Sequence, residues 1–475
     1  MESGGGEASG RQRGLRKRSA TLAGPPGFDL LSEDDAARFL IREFGHRVRY
    51  CLAGGGWFIW DGSRFNLDRD GAILRLVSEA TDRVLAMVEK LNDLELRKKT
   101  LQYVIRLRRY HGHENVARLA ASKRPVAIGD PEAFDADPWL LNVRNGTIDL
   151  RTGTLRPHDR RDLLTKRLDV TYRANARATR WHRFLCEIFD GDLEMVDFAQ
   201  RAAGYCLTGD MREHVFFVLY GRGANGKSTF VETLQTLLGE YAQSSDPETW
   251  LRQSNGHRGA SPGIARLRGV RFVAGCEIDD GRALDEARVK QIVAGDRTTA
   301  RQLYQNEFDF FPVCKLWIST NHPPQIRGTD DGIWRRVILI PFQVQFTGGT
   351  CDPQLAAKLR AEFSGILAWA VRGCLEWQNG GLRPPESVRR ATAAYRAQSD
   401  VVGQFVTDEC VADARCSTGA TALFDAYRRW CEGTGERTLT QTAFGRRLTE
   451  AGYESGRTGT GRKCWRGIGL RDAKD

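Results

Sequence analysis

The pattern G-x-x-x-x-G-K-S at residues 221–228 constrains the fold of this 475-residue chain more than any other segment. A continuous apolar run at 215–220 precedes the pattern, and a helical pattern with its apolar residues on one face follows at 229–238. In this order of strand, glycine-rich loop and helix, backbone N–H groups and the helix N-terminus point at a bound phosphate. We therefore predict a phosphate-binding loop in an α/β fold, with a chance glycine-rich turn as the alternative.

Two side chains of this loop have the chemistry of a nucleoside triphosphate site. Lys227 brings a positive charge to the β- and γ-phosphate oxygens, and Ser228 supplies a hydroxyl to Mg²⁺. ATP and Mg²⁺ are therefore the expected cofactors. The predicted nucleotide-binding residues are Gly221, Arg222, Gly223, Ala224, Asn225, Gly226, Lys227, Ser228 and Thr229.

Such a site also needs a carboxylate at the end of a neighbouring strand, to hold Mg²⁺ through water and to polarise the attacking water. Residues 271–277 form an apolar run that ends at Glu277, and Asp279 and Asp280 follow. Glu277 is the predicted principal carboxylate, and Asp279 is a further candidate metal ligand. An ordinary acidic surface turn is the alternative, because acidic residues are common after strands.

Two more segments carry candidate catalytic residues. The buried run 315–320 ends at Asn321, whose carboxamide is placed to hydrogen-bond the γ-phosphate, unless it only starts the turn before two prolines. Arg335 and Arg336 precede the apolar run 337–342, and such a pair can stabilise charge on the γ-phosphate of a neighbouring subunit. A plain surface pair is the alternative for the arginines.

Residues 284–310 contain the first candidate contacts to nucleic acid. A helical stretch carries Lys290, and two alternating segments at 298–304 and 308–313 predict a hairpin. Within it, Arg301 offers a phosphate contact and Tyr304 a stacking face. A structural hairpin with a surface arginine is the alternative.

Composition narrows the class of protein. A net charge of +11 with a pI near 9.2 fits a polyanionic partner. No apolar run approaches the ~20 residues that cross a bilayer, and residues 1–26 lack the apolar core of a secretory signal. The 11 cysteines are scattered singly, without zinc-type spacing. We expect a cytoplasmic protein with reduced thiols and no membrane partner.

Together, five motifs resemble those of superfamily 3 helicases, above all the phage and plasmid primase C-terminal type that poxviral primase-helicases share. They are the phosphate-binding loop, Glu277, the stretch with Lys290 and Arg301, the run 317–324, and the run 332–336. The resemblance covers most of the chain from about residue 57. One departure is Cys276 before Glu277, where family members often have a second acid, so the roles of Glu277 and Asp279 stay open.

The resemblance implies an AAA+-type ring, usually a hexamer, that translocates on single-stranded DNA with ATP. It also implies that Asn321 is the sensor, that Arg335 or Arg336 is the finger, and that Lys290 and Arg301 belong to the DNA-contacting hairpin region. Many relatives carry a primase domain ahead of the helicase. The first 180 or so residues here show no convincing Asp-x-Asp-type metal pair with a partner histidine, so we expect a separate primase or polymerase to make the primer.

The C-terminal residues predict a DNA-binding module. A helix at 422–430, a second helix capped by Thr440, and a two-stranded ribbon indicate a winged helix. Arg446 and Arg447 lie on its predicted recognition helix, and Lys463 lies in its wing. A winged helix that docks protein is the alternative.

The predicted fold class is α/β: an AAA+-type P-loop ATPase core with an N-terminal mixed α/β region and a C-terminal winged-helix domain. The first functional hypothesis is an ATP-dependent DNA helicase of a phage, plasmid or integrated element, acting on single-stranded and forked DNA during replication initiation. The second is a nucleotide-switched DNA-binding regulator or defence protein without sustained unwinding. The predicted divisions are a basic disordered tail (1–26), the N-terminal region (27–180), the helicase domain (181–345), a helical connector (346–400) and the winged helix (401–475).

Overall fold

The computed structural model describes residues 32–252, 262–275, 281–302, 306–328, 330–347 and 352–471. The chain divides into two compact units, Met1–Ile59 with Leu67–Pro131 and Trp60–Asn66 with Glu132–Asp475. This division lies inside the region predicted at 27–180, and the predicted domain limits themselves stay predictions.

The N-terminal segment is mostly helical. The burial pattern places one face of α1, α2 and α4 in a shared apolar core. Asp93 starts a new helix, because its carboxylate accepts hydrogen bonds from the N–H groups of Glu95 and Leu96 and so caps the N-terminus of α3. The charged, helical sequence from residue 74 to 107 therefore forms two helices rather than one. The elements are α1 (Glu33–Phe44), β1 (Val48–Cys51), β2 (Gly56–Trp60), β3 (Phe65–Leu67), α2 (Ala72–Val88), α3 (Leu94–Leu107) and α4 (Tyr110–Ala121).

From residue 132 onward, the second unit has a small antiparallel sheet that is followed by a parallel one. Its first elements are β4 (Leu140–Val143), β5 (Gly146–Asp149), β6 (Thr154–Arg156), α5 (Thr179–Ile188), α6 (Leu193–Cys206), β7 (Phe216–Tyr220), α7 (Lys227–Leu238), β8 (Ala242–Ser245), α8 (Pro262–Ala265), β9 (Phe272–Gly275), α9 (Glu286–Ala294), β10 (Thr298–Arg301), β11 (Glu307–Phe310), β12 (Lys315–Thr320), α10 (Asp331–Trp334) and β13 (Val337–Pro341). The hairpin of β4 and β5 turns at Arg144-Asn145, because Val143 pairs with Gly146.

The parallel sheet has five strands in the order β13-β7-β12-β9-β8. Its inner strands are almost wholly buried, as expected where helices cover both faces of a parallel sheet. Tyr220 lies beside both Thr320 and Pro341 in the registers of β7 with β12 and with β13. The residues that follow these three strands therefore meet at one edge of the sheet. The predicted α/β core is confirmed at this level, as a mixed α/β fold with a parallel sheet.

Helices α5, α6 and α12 form a layer against this sheet. Gly204 of α6 and Gly373 of α12 let two backbones touch, since a Cβ on Gly204 would lie 2.1 Å from the Cys374 nitrogen. Between α11 and α12, the Glu362 carboxylate accepts hydrogen bonds from the N–H groups of Arg180 and Trp181 at the start of α5. Helix α11 therefore ends, and α12 begins, at Glu362. The helices that follow the sheet are α11 (Leu355–Ala361), α12 (Phe363–Gly380) and α13 (Glu386–Ser399).

The C-terminal residues pack around their own apolar cluster, which includes Tyr427, Phe444 and Trp465. Thr440 caps α16 as predicted, because its hydroxyl accepts a hydrogen bond from the Ala443 N–H. The sheet in the order β15-β17-β16 has one strand more than the predicted ribbon. The winged-helix assignment stays a prediction. The elements are α14 (Val401–Glu409), β14 (Cys410–Val411), β15 (Ser417–Gly419), α15 (Ala420–Thr434), α16 (Gln441–Glu450), β16 (Glu454–Arg457), β17 (Lys463–Arg466) and β18 (Gly469–Leu470).

Strands β10 and β11 form the predicted hairpin, with Thr298 opposite Phe310 and Arg301 opposite Glu307. It is a separate two-stranded sheet, although it lies in sequence between the neighbouring strands β9 and β12. No helix among the described residues is long and apolar enough to span a membrane.

Candidate nucleotide site

The loop between β7 and α7 has a conformation that depends on two of its glycines. A Cβ on Gly221 would lie 2.1 Å from the Asn225 Nδ2 atom, and one on Gly226 would lie 2.5 Å from the Ile188 Cγ2 atom. Gly226 also has a φ of 84°, in the left-handed region that favours glycine. Larger residues would therefore displace the loop from α5 or open its first turn.

Lys227 is the first residue of α7, and only 4% of it is exposed. Its ammonium donates to the Gly221 carbonyl oxygen at 2.7 Å and to the side-chain oxygens of Asn225 and Asn321, each at 3.0 Å. A buried charge needs such partners, because water no longer solvates it. All three of these acceptors are neutral oxygens, and a hydrogen bond from an ammonium to a charged phosphate oxygen is stronger than one to a neutral oxygen.

Asn321 reaches this ammonium because of the sheet order. It follows Thr320, which lies beside Tyr220 at the end of β7. Asn225 is also buried and donates to the Phe342 carbonyl oxygen at 3.4 Å, which ties the loop to the end of β13. The structure thus brings Lys227 and Asn321 together at the carboxyl edge of the sheet. The catalytic roles assigned to them stay predictions.

The remaining predicted metal and phosphate ligands are only partly described. Ser228 is exposed on the first turn of α7, beside the half-buried Thr229. Glu277 and Asp279 lie outside the described residues, although β9 ends at Gly275, beside Ile318 of β12 and on the same edge. Within the described ranges, no group of three or more acidic, histidine or cysteine side chains could hold a metal. Ser228 is thus the predicted Mg²⁺ ligand whose place is known.

A cavity of about 380 Å³ adjoins the loop. Its size is near the lower end of the range for small-molecule sites. Loop and helix residues form one wall, and α5, α11, α12 and the chain after β13 form the others. Sequence reasoning missed these other walls, because neither α5 nor the predicted connector carries a motif. The lining includes three aromatic residues and five charged ones: Phe184, Phe346, Phe363, Arg180, Glu187, Glu232, Asp352 and Arg360.

Arg335 and Arg336 lie at the opposite end of the sheet from the loop. The Arg336 carbonyl accepts a hydrogen bond from the Phe216 N–H at the start of β7, and the phosphate-binding loop follows the end of that strand. The five residues of β7 separate the two ends by roughly 16 Å. Neither arginine therefore belongs to the phosphate site of its own chain.

The two arginines also differ from one another. Arg335 is exposed, whereas the Arg336 guanidinium turns back and donates to the Gly332 carbonyl oxygen. Burial, together with the charge of Arg335, lowers the pKa of Arg336. Of the pair, Arg335 is the side chain that presents its charge to the surroundings.

The loop that leads from Asn321 to these arginines is held by three helices. The Glu286 carboxylate of α9 accepts hydrogen bonds from the N–H groups of Arg327 and Gly328, both at 2.8 Å. Arg396 of α13 pairs with Asp331 at 2.7 Å. Arg447 of α16 donates to the Arg327 carbonyl oxygen. We call residues 322–334 the finger loop.

Several predicted DNA contacts have partners inside the protein. The Lys290 ammonium lies 3.1 Å from an Asp330 carboxylate oxygen. The Arg447 guanidinium lies 3.0 Å from the Glu450 carboxylate, and it also donates a hydrogen bond to the finger loop. Arg446, on the same helix, lies 3.8 Å from a Glu450 carboxylate oxygen, but its side chain is 70% exposed.

The other predicted contacts lie on strands. Arg301 is exposed at the end of β10, and Lys463 is exposed at the start of β17, with its ammonium 5.6 Å from the Trp465 ring centroid. Tyr304 lies outside the described residues. The structure therefore presents Arg301, Arg446 and Lys463 to solvent, and it binds Lys290 and Arg447 internally.

Three family models match consecutive segments of the chain. D5 N terminal like matches residues 37–190, a family of unknown function (DUF5906) matches 219–336, and Poxvirus D5 protein-like matches 397–466. The middle match contains the phosphate-binding loop, Asn321 and both arginines. The chain thus carries segments of the D5 type at both ends of its described fold.

Curated relatives come from large DNA viruses. The chain is 28% identical over 322 residues to the provisionally named helicase L207/L206 of Acanthamoeba polyphaga mimivirus. The matched region covers 62% of this chain and 33% of that protein. It is 26% identical to the provisionally named helicase 022R of Frog virus 3, over 63% of this chain and 31% of that protein. The provisionally named primase C962R of African swine fever virus is 22% identical, over 63% of this chain and 34% of that protein. The chain therefore spans about a third of the length of these relatives.

Among solved structures, the C-terminal region of NrS-1 resembles this chain at 14% identity, with 64% of this chain and 80% of that one covered and a TM-score of 0.39. A TM-score of this size carries no inference about function.

Proposed function

We propose that this chain is an ATP-dependent DNA helicase of the superfamily 3 type, which works as a ring on single-stranded and forked DNA during replication. The observation that carries the proposal is the buried Lys227 ammonium, held on three neutral oxygens at the carboxyl edge of a parallel sheet. The names of the viral relatives support the choice of a replication helicase, since two are provisionally called helicases and one a primase.

In the proposed cycle, the triphosphate enters the loop and takes over the Lys227 ammonium. The Asn225 and Asn321 oxygens are then released, and the Asn321 carboxamide can orient a water at the γ-phosphate. Ser228 would hold Mg²⁺, which supplies charge neutralisation between the phosphates. The adjoining cavity suits the base and ribose, because it offers aromatic faces as well as polar groups.

The place of the arginines supports assembly. Because Arg335 lies at the far end of β7 and is exposed, it could reach the γ-phosphate of another copy of the chain but not that of its own. This is the arrangement of a ring whose sites form between subunits, for which the family resemblance gives a hexamer. Arg301, Arg446 and Lys463 are the exposed cations proposed to contact DNA, and a separate primase or polymerase would make the primer.

Hydrolysis and strand displacement on a forked duplex test the proposal, with Lys227→Ala as the inactive control. The wild type is expected to hydrolyse ATP, to be stimulated by single-stranded DNA and to displace the strand. Hydrolysis without displacement would favour the nucleotide-switched regulator and contradict the helicase.

A mixing experiment tests the shared site. Lys227→Ala and Arg335→Ala subunits are each expected to be inactive, but a mixed ring contains interfaces with an intact lysine from one subunit and an intact arginine from the next. Mixing should therefore restore part of the hydrolysis. Arg336→Ala is the matched control, and it should retain activity because its guanidinium is held by its own chain. Absence of any recovery in mixed assemblies would contradict the shared site.

A further inference from the structure

Helix α3 (Leu94–Leu107) and the residues just after it carry an unusual surface. Of the ten large apolar side chains that are exposed among the described residues, five lie between positions 87 and 110. Leu94 is 76% exposed, Ile105 57% and Tyr110 62%. Clustered exposure of this kind marks a binding surface more often than scattered exposure does.

These side chains form a second stripe on α3. At 100° per residue, Leu101 and Ile105 fall within about 20° of Leu94, whereas the buried Val104 and Leu107 lie roughly 80° and 140° away from it. The helix thus packs one face into its own unit and turns another apolar row to solvent.

Cations surround this stripe. In the part of the chain that the structure describes, none of five exposed basic side chains on and after α3 has an acidic side chain within ion-pair distance. Exposed arginines elsewhere differ, as with Arg389 and Arg390, which both pair with Glu386. Residues 94–111 contain six arginines and lysines and one acid, Glu95. The five cations are Arg97, Lys98, Lys99, Arg106 and Arg109.

The spread of the charge decides which partner fits. Around the helix axis, the arc that runs from Arg97 through the apolar stripe to Lys99 spans about 200°, which is wider than the ~100° stripe that one packed helix covers. An acidic helix would leave part of this charge unmatched, whereas a flexible polyanion can follow it. A duplex hides its base faces, but a single strand exposes them to apolar and aromatic side chains such as Leu101, Ile105 and Tyr110.

We propose that α3 and its C-terminal flank form a single-stranded nucleic-acid-binding surface, separate from the nucleotide site and from the predicted hairpin and wing contacts. The choice of DNA as the strand rests on the proposed function. Through this surface, the N-terminal unit would bind the strand whether or not a nucleotide is bound.

The test uses the full chain and a fluorescent oligothymidylate of about 20 nucleotides. The triple variant Lys98→Glu, Arg106→Glu, Arg109→Glu should bind at least about tenfold more weakly at low salt. Its plot of log affinity against log salt should be less steep by about 2, since three phosphate contacts on a single strand are lost. The matched control Arg389→Glu, Arg390→Glu also reverses exposed charges but should bind within about twofold of wild type.

Three further measurements distinguish the loss of this surface from failure of the nucleotide site and from unfolding. Lys227→Ala should bind the oligothymidylate normally, and the triple variant should keep its DNA-free ATP hydrolysis, so failure of the nucleotide site is distinguishable. If the triple variant melts early, the milder Lys98→Gln, Arg106→Gln pair replaces it and should still weaken binding. Leu101→Ser with Ile105→Ser should weaken binding with an unchanged salt slope.

Two results would overturn the proposal. One is wild-type affinity and slope in both charge variants. The other is an apolar variant that disperses an oligomer while binding the oligonucleotide normally, which would make this surface a contact between proteins.

Discussion

Lys227 and Lys315 are two lysines buried in the same unit, and they lie at opposite ends of adjacent strands. Lys227 follows β7 at the carboxyl edge of the sheet and is 4% exposed, whereas Lys315 begins β12 at the amino edge and is 0% exposed. The Lys315 ammonium donates to the Thr208 carbonyl oxygen at 2.5 Å and lies 4.5 Å from the Tyr205 ring centroid. Both lysines therefore have neutral partners within a few ångströms.

The difference is in what the partners can do. The Thr208 carbonyl follows the C-terminal end of α6, where the helix dipole favours a cation, and backbone groups there cannot turn away. Arg271 uses the same helix end, through the Leu207 carbonyl oxygen at 2.5 Å. Lys227 instead has two carboxamide oxygens on side chains that can rotate. A buried cation thus marks a ligand site when its partners are replaceable, and a structural anchor when they are fixed.

The largest expected effect breaks this comparison directly. Lys227→Met should lower ATP hydrolysis at least ~100-fold, because the substitution removes the positive charge that stabilises the transferring phosphate. The melting temperature should change only a little. Lys315→Met should leave hydrolysis within about threefold of wild type. Phosphate release and thermal melting of both variants check this pair. Loss of hydrolysis in Lys315→Met at unchanged melting temperature would contradict the structural role.

A second experiment sharpens the role of the replaceable partners. Asn321→Ala should reduce kcat by roughly 10- to 100-fold with little change in ATP affinity, since Lys227 keeps Gly221 and Asn225 as acceptors. Asn321→Asp should weaken ATP binding as well, because a carboxylate would pair with the ammonium and repel the γ-phosphate. Nucleotide titration and steady-state kinetics measure the two effects. Equal ATP affinity in the Ala and Asp variants would contradict this geometry.

The smallest effect concerns pH and belongs to Lys315. Burial lowers its pKa from 10.5 to about 7. Between these values the unfolded chain binds a proton that the folded chain does not, so this group makes the free energy of unfolding rise with pH across that window. This gain in the free energy of unfolding is present above pH 10.5 and is lost as the pH falls through about 7.

Lys315→Met should lack this rise, so its free energy of unfolding should increase less than that of wild type from pH 7.5 to 9.5, by on the order of 1 kcal/mol or more. Urea melts at both pH values measure it. Parallel pH dependence in the two proteins would show that Lys315 is not buried as described.

The sequence predicted the loop and its neighbours because their signals are local or follow from sheet geometry. The helix after Gly226 was readable from its periodicity, and Asn321 came to Lys227 because parallel strands end at a common edge. The cavity was not readable, since Phe346 and Asp352 reach it only through the packing of α11 and α12.

Other features depend on distant partners or on caps. A lysine at the start of a strand normally faces solvent, and nothing near Lys315 in the sequence announces the acceptor at Thr208. The break at Glu362 likewise depends on α5, far away in sequence. The break before α3 was different, because Asp93 is a good helix-capping residue and could have been read as one.

The hairpin of β10 and β11 has a consequence for how such proteins can diversify. Its strands pair with each other, while β9 and β12 on either side of it in sequence pair directly in the parallel sheet. Residues added at the hairpin would therefore leave the register of both sheet strands, and so the distance from Lys227 to Asn321, unchanged. The length of this hairpin can therefore change without altering the arrangement of the residues around Lys227.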